Sequence, residues 1–415
     1  MSLHPGDIDL TDPDVFLAHG GPPHEYLTVL RREAPVFWHE PPATVKTVSP
    51  IRRGFWVISR HEDLVHVSRS PKTFSSQVGT SFLWDSDEDA LGAVQDIMIN
   101  MDPPRHVKYR RLVQPGFTPK MVRAIEPTIR SHARNIVDRV ATRGECEFVA
   151  DLACELPLTL ICELVGIPHE DRKKIFEWSN NMIGADDPDL APAADAATSA
   201  AAEMWLYCNA LAEEKRRNPD DTLISKYVHG SVDGERITEQ ELNHFFVLLS
   251  VAGNETTRNM TSHFMRLLFE HPEQYELLRS DVAALLPGAI EEALRYSPPV
   301  MQFRRTALHE TGIRGTRIAQ GDKIYLSYPS ANRDEEVFDD GQRFDITRQK
   351  NDHIAFGIGE HFCLGASLAR MQLNAILSEV LTRLPDMTPT EAPRIQRSNF
   401  IHGVTKMPVR FTPER

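Results

Sequence analysis

Apolar positions recur at helical spacing along most of the chain, and period-two alternation is confined to a few short patches. Gly54–Ser59 alternates aromatic and β-branched residues and predicts a strand. A short helix follows from about Glu62 to Arg69, ending before Pro71. Phe74 to Asn100 mixes apolar with acidic residues without a clean period and is expected to be a long loop. From Arg105 to about Ala210 the pattern is mostly helical, with breaks expected at Pro115 to Pro119, Pro157, Pro168 and Gly184 to Pro192. Val300–Ser327 is rich in strand formers, including the run Lys323–Ser327, and Phe400–Phe411 is expected to form a further hairpin. The fold class is therefore mainly α with a smaller β portion. No βαβ alternation and no GxGxxG fingerprint occurs, which speaks against a dinucleotide-binding fold.

Two helices are sharply delimited. Thr238 with Glu241 three residues later makes a capping box, and the helical pattern then runs to about His271, where Pro272 stops it. That is far longer than an average globular helix. Its middle reads Ala252-Gly253-Asn254-Glu255-Thr256-Thr257. A mid-helix Gly costs up to about 1 kcal/mol, so a local defect with a purpose is expected there. The second helix, amphipathic, spans Ala366 to about Leu384 and ends before Pro385.

The 415 residues, 41% hydrophobic, hold ample material for a large core. With no linker and no internal repeat, residues 1–415 are expected to form a single domain. A net charge of -13 disfavours a nucleic-acid or anionic-membrane surface. Met1 to Asp14 is polar, without the apolar run of a signal peptide or membrane anchor, so a cytoplasmic location is expected. The cysteines Cys146, Cys154, Cys162, Cys208 and Cys363 contain no CxxC pair, and the first four are expected to be buried, inert thiols. The first three recur every eight residues, but Pro157 is expected to interrupt any helix carrying all of them.

Cys363 differs in its surroundings. It lies in Phe356-Gly357-Ile358-Gly359-Glu360-His361-Phe362-Cys363-Leu364-Gly365, just before the helix starting at Ala366. Two glycines ahead of it permit a tight loop close to a flat ligand, and a helix N-terminus favours a thiolate. Gly365 leaves space on the ligand side. The pattern FGxGxHxCxG resembles the haem-binding signature of the cytochrome P-450 family, with every fixed position filled. That resemblance implies haem b between a long distal helix and a proximal Cys-loop helix, with Cys363 as axial ligand to the iron.

Three further stretches match the family in order. Glu292 and Arg295 form an ExxR pair, by itself an ordinary surface ion pair, which the resemblance makes buried and bonded to an arginine of a later loop. Arg343 fits that arginine, although Gly341 replaces the loop's usual proline. His106 and Arg110, at i and i+4, match the family's partners for haem propionates, as do His361 and Arg305. Arg304 competes with Arg305, and the sequence leaves that choice open. Finally, Ala252-Gly253-x-Glu255-Thr256 fits the AGx(D/E)T pattern of the distal helix. There Gly253 is expected to let the helix approach the haem and bulge, while Glu255 and Thr256 deliver protons.

The resemblance implies a monooxygenase using dioxygen and two electrons. As the chain shows no flavin or nicotinamide signature, these are expected from a ferredoxin and its NAD(P)H-dependent reductase, docking on Lys108, Arg111, Lys120 and Arg370. Phe82, Trp84, Val247, Leu248, Val251, Val300, Met301, Phe303, Phe400 and Ile401 are the expected pocket walls and call for an apolar substrate. Local runs resemble the bacterial branch acting on sterols and methyl-branched lipids, with terpenoids also open. Rival readings are a peroxygenase of the same fold, which usually lacks the acid–Thr pair, and a haem sensor or electron carrier, which needs no proton-delivery residues.

Overall fold

A computed structural model of the chain describes residues 3–86, 88–193 and 195–415. Its centre is the helix Glu239–Glu270, 32 residues long. The Thr238 hydroxyl accepts from the Glu241 amide at 3.2 Å and the Glu241 carboxylate from the Thr238 amide at 2.9 Å, so the predicted capping box is formed. From Leu242 to Leu268 most side chains are buried, which explains why a polar-looking stretch holds as a helix: neighbours enclose it on nearly all sides. It packs on the helices Glu155–Val165, Ala196–Arg217, Val282–Tyr296 and Ala366–Arg383.

To one side lies a five-stranded sheet ordered Val36–His39, Phe55–Ile58, Lys323–Ser327, Gln302–Ala307, Phe74–Ser75. Lys323–Ser327 is buried along its whole length and pairs parallel to Phe55–Ile58 and antiparallel to Gln302–Ala307. Register fixes direction here: Arg305 lies opposite Ile324 and Arg304 opposite Tyr325, so the two arginines leave the sheet on opposite faces.

Several expectations need correction. The segment Phe74 to Asn100 is not all loop, since it holds the strand Phe74–Ser75, the helix Glu88–Gln95 and the 3-10 turn Met98–Asn100. Elements this short give no period to detect. The C-terminal strands Val404–Lys406 and Pro408–Arg410 form no hairpin. The first pairs with Arg394–Ile395, the second with Thr388–Pro389 and Glu145–Glu147. Met407 alone separates them, too little for a hairpin turn, and the chain changes sheets instead. Pro157 lies in the first turn of Glu155–Val165, where its missing N–H is not needed, so it opens a helix rather than breaking one. Cys146, Cys154, Cys162 and Cys208 are buried, and burial pushes each thiol up to about 12. Among the described residues no helix is long and apolar enough to cross a membrane.

Candidate active site

The loop before Ala366–Arg383 is wound by its own backbone. Gly357 and Gly359 take φ of 69° and 74°, values that favour glycine, and a Cβ on Gly359 would sit 2.6 Å from the Ser68 carbonyl. The Cys363 amide donates to the Phe356 carbonyl at 2.8 Å, closing the loop. Cys363 is the exposed cysteine of the five, opening on a cavity. Burial by the surrounding protein raises its thiol, while the Gly365 amide and the Arg110 and Arg370 guanidinium groups oppose that rise. A Cβ on Gly365 would meet nothing within 4 Å, which leaves that wall flat.

Behind this loop Glu292 and Arg295 are fully buried and joined by two bonds of 2.8 Å. Arg295 also donates to the carbonyls of Asn332, Gly341 and Arg343. The guanidinium reaching Glu292 is that of Arg348, at 3.0 Å, and not that of Arg343. Arg343 contributes only its carbonyl and points its side chain to solvent. The backbone turn between Asp340 and Asp345 turns Arg343 outward, and Arg348 arrives from beyond it.

Four nitrogen-bearing side chains converge on one rim of the cavity: His106, Arg110, Arg305 and His361. The two imidazole rings lie 4.2 Å apart. His106 Nδ1 and His361 Nε2 are buried without a partner among the described residues. Burial, with Arg110 and Arg305 nearby, pushes His106 down to about 4 and His361 well below its usual range. Arg110 donates to the Glu360 and Phe362 carbonyls. Arg305 is buried, donates to the Arg304 carbonyl and forms no ion pair among the described residues. Arg304 points away, toward Asp85 and Thr306, so Arg305 is the strand's contribution to the rim.

Opposite Cys363 the long helix lines the cavity with Ala252, Gly253 and Thr256. The helix is unbroken here, so the expected bulge is absent. A Cβ on Gly253 would meet Ile161 at 2.9 Å, so its missing side chain serves helix packing. The Thr256 hydroxyl donates back to the Ala252 carbonyl at 2.9 Å. Glu255 does not face the cavity. It is buried in an ion pair with Arg258, which donates in turn to Asn180 at 2.8 Å. Burial raises the Glu255 carboxyl, against the pull of Arg258.

The cavity measures about 260 Å³. Of the expected walls, Leu248, Val300 and Phe303 line it. Val247, Met301 and Ile401 are buried in the core instead, and Val251 packs on the helical core. Phe82, Trp84 and Phe400 form an aromatic layer behind Phe303. Wall residues not anticipated include Met98, Ile99, Thr257, Met260, Leu294 and Tyr328. Two carried a usable signal: Thr257 adjoins the distal motif, and Leu294 lies inside the ExxR pair and shares neither partner's face.

The model of the cytochrome P450 family matches residues 172–412. Full-length relatives extend the match to nearly the whole chain. A steroid C26-monooxygenase of Rhodococcus jostii (strain RHA1) is 37% identical over 98% of this chain and 85% of that protein. A methyl-branched lipid omega-hydroxylase of Mycobacterium tuberculosis (strain H37Rv) is 40% identical over 98% of this chain and 95% of that protein. The chain belongs to the cytochrome P450 family. The Mycobacterium marinum cytochrome P450 CYP268A2, solved in complex with pseudoionone, superposes with a TM-score of 0.91 at 37% identity, covering 99% of this chain and 100% of that one.

Like other cytochromes P450, the protein is a haem-dependent monooxygenase. Its cavity suits the group. A thiol opens on one face, a side-chain-free Gly365 lies beside it, and among the described residues the rim holds two orphaned imidazole nitrogens and a buried arginine in no ion pair. Buried donors lacking acceptors call for an anionic ligand at that rim.

Proposed function

We propose that this cytochrome P450 hydroxylates an apolar sterol, methyl-branched lipid or terpenoid in the cytoplasm, with electrons from a ferredoxin and its NAD(P)H-dependent reductase. Haem b is the proposed cofactor, in a single domain of residues 1–415. Cys363 would hold its iron through the thiolate, Phe356 and Gly365 would flank it, and His106, Arg110, Arg305 and His361 would take its carboxylates. When bound, the haem supplies activation of dioxygen, favoured by electron donation from the thiolate.

The observation that carries the substrate reading is the cavity's composition. Away from the four-residue rim its walls are dominated by Met, Ile, Leu, Val and Phe, with Thr256 and Thr257 supplying the hydroxyls of the long helix. Such a surface orients an apolar chain by shape. The relatives named for steroids and methyl-branched lipids, and the structure holding pseudoionone, support the same substrate classes.

Thr256 would hold a proton relay at the cavity. Its hydroxyl is parked on the Ala252 carbonyl and is free to turn toward the cavity it lines. Glu255, one residue earlier and held partly toward its protonated form, would resupply that relay from the side of Arg258. On the docking face, Arg111 and Lys120 are exposed. Lys108 pairs with Asp233, and Arg370 is held bidentate by Glu291 at 2.7 and 2.8 Å. Arg111 and Lys120 are therefore the proposed contacts for an acidic ferredoxin.

The deciding experiment is the spectrum of the reduced, carbon-monoxide-bound holoprotein, followed by turnover of a steroid, a methyl-branched lipid and pseudoionone with ferredoxin and reductase. A thiolate-type Soret band and a hydroxylated product are expected. A folded holoprotein lacking that band would overturn the assignment. In Thr256→Ala, NAD(P)H consumption should continue while product falls, and full coupling would remove the role given to Thr256.

A further inference from the structure

Asp85, the partner of Arg304, follows directly on the aromatic pair Phe82 and Trp84. Its carboxylate accepts from Lys323 Nζ at 2.6 Å, from the Arg52 amide at 2.8 Å and from Arg304 Nη1 at 3.5 Å. Its amide donates to the Pro50 carbonyl at 2.7 Å. Lys323 and Arg304 have side chains only 4% and 6% exposed, so one acid neutralises two nearly buried cations. Desolvation is what drives Lys323 down to about 8 in spite of that partner. Arg304 also packs on the loop backbone, where a Cβ on Gly79 would run into its guanidinium, and its amide donates to the Ser81 carbonyl at 2.7 Å.

Everything these groups hold belongs to one wall. Phe82 and Trp84 stack at 4.5 Å with planes 7° apart. Phe400 meets them edge-on at 5.6 and 5.9 Å, and Phe303, which lines the cavity, packs on Phe400 at 5.7 Å. Ser81 ties the same segment forward through the carbonyl of Ile99, itself a wall residue. The loop thus has apolar contacts on its cavity side and a buried charge cluster on its sheet side. The cluster is the directional part, because ion pairs and hydrogen bonds fix geometry where apolar contact does not.

We infer that Asp85 is a specificity-determining positioning residue, whose carboxylate clamps the Phe82–Trp84 wall to the sheet and so sets how tightly an extended apolar ligand is held. This rests on reading the cavity as the substrate chamber. Asp85 touches no ligand; it acts by keeping the aromatic layer preorganised, which spares the ligand the cost of ordering it. With Asp85 gone, two buried cations lose their counter-charge and draw water under the loop.

The test compares two probes on the holoenzyme by their spectral shifts: pseudoionone, an extended apolar molecule, and imidazole, which is small. In Asp85→Asn the Kd for pseudoionone should rise about tenfold while that for imidazole stays within about twofold. Asp85→Glu, which restores the charge, should recover most of the loss. Hydrogen exchange should quicken at 76–86 and stay unchanged in 239–270. Should Asp85→Asn fail to fold, Lys323→Gln takes its place, with about a threefold loss for pseudoionone expected. Wild-type binding matched by the variant overturns this inference alone. A wild type that gives no shift with pseudoionone overturns the chamber reading and the inference with it.

Discussion

The cavity lies between two buried Glu–Arg pairs of the same local design, each at i and i+3 of one helix. Behind the cysteine loop, Glu292 and Arg295 are completely enclosed, and nearly all their hydrogen-bonding capacity is used. Glu292 accepts from Arg295, Arg348, Asn351 and the Asp345 amide, and Arg295 adds three carbonyls. On the long helix, Glu255 and Arg258 are nearly as enclosed but less fully bonded, Arg258 reaching Asn180 besides Glu255. Glu255 has Arg258 and a long 3.4 Å contact from Asn254, while Arg258 Nε and Asn254 Oδ1 have no partner among the described residues. A saturated pair is a fastening, because any change of protonation or rotamer breaks many bonds at once. An unsaturated pair has alternatives nearby in energy, as the proton-exchanging role proposed for Glu255 requires.

The comparison breaks most readily at its strong end. Arg295→Ala leaves Glu292 charged and enclosed, and a loss of about 3–5 kcal/mol is expected, enough to abolish folded, haem-loaded protein at ordinary temperature. Urea unfolding and haem content measure it. A loss below about 1 kcal/mol would mean that the network is incidental.

A second cut separates two arginines that the sequence does not separate. Arg348→Ala removes a charge-assisted bond to Glu292 together with bonds to the Asp339, Asp340 and Arg343 carbonyls, so about 2–3 kcal/mol should be lost. Arg343→Ala should stay within about 0.5 kcal/mol, since its side chain is exposed and the carbonyl it contributes survives. Equal losses by unfolding midpoint would restore Arg343 to the role its position in the chain suggests.

That case shows where sequence stops being legible. The cysteine loop could be read because its parts are contiguous: two turn glycines, Cys363 and the helix start occupy ten residues, and their spacing carries their geometry. Helix limits were equally local, as at Thr238 and Glu241. The partner of Glu292 depended instead on how an irregular turn throws side chains five residues apart, with Gly341 where a proline would have fixed it. The cavity wall was harder still. It is assembled from segments around Met98, Leu248, Leu294 and Phe303, whose facing depends on packing between elements far apart in sequence. Glu255 shares a proton-delivery role with its neighbour Thr256 in the sequence motif, yet adjacent helical residues point about 100° apart, and Arg258 at i+3 is the readable sign that it turns the other way.

At the weak end of the comparison, Glu255→Gln keeps the size and an acceptor for Arg258 but cannot release a proton. Turnover should fall about ten- to a hundredfold while haem content and the ligand-induced spectral shift are kept. Unchanged turnover would make the distal pair a fastening like the other one.

The smallest effect distinguishes the two sides by sign. Glu291, next to Glu292, is held down to about 2 by Arg370 and His353, against the opposing effect of its own burial. Its folded value lies below its unfolded one, so the stability it contributes is complete above about pH 4.5 and is lost as pH falls toward 2. Glu255 is shifted the other way, chiefly by desolvation, so the folded state binds the proton more tightly and stability is lost as pH rises above 4.5. Urea unfolding across pH should therefore show the advantage of wild type over Glu291→Gln growing from pH 2 to 4.5 and then levelling. The advantage over Glu255→Gln should shrink as pH rises above 4.5, by at most about 1.4 kcal/mol per pH unit. Parallel curves for the two variants would show that Arg258 fully compensates Glu255, and the distal carboxyl would then be as firmly charged as the proximal one.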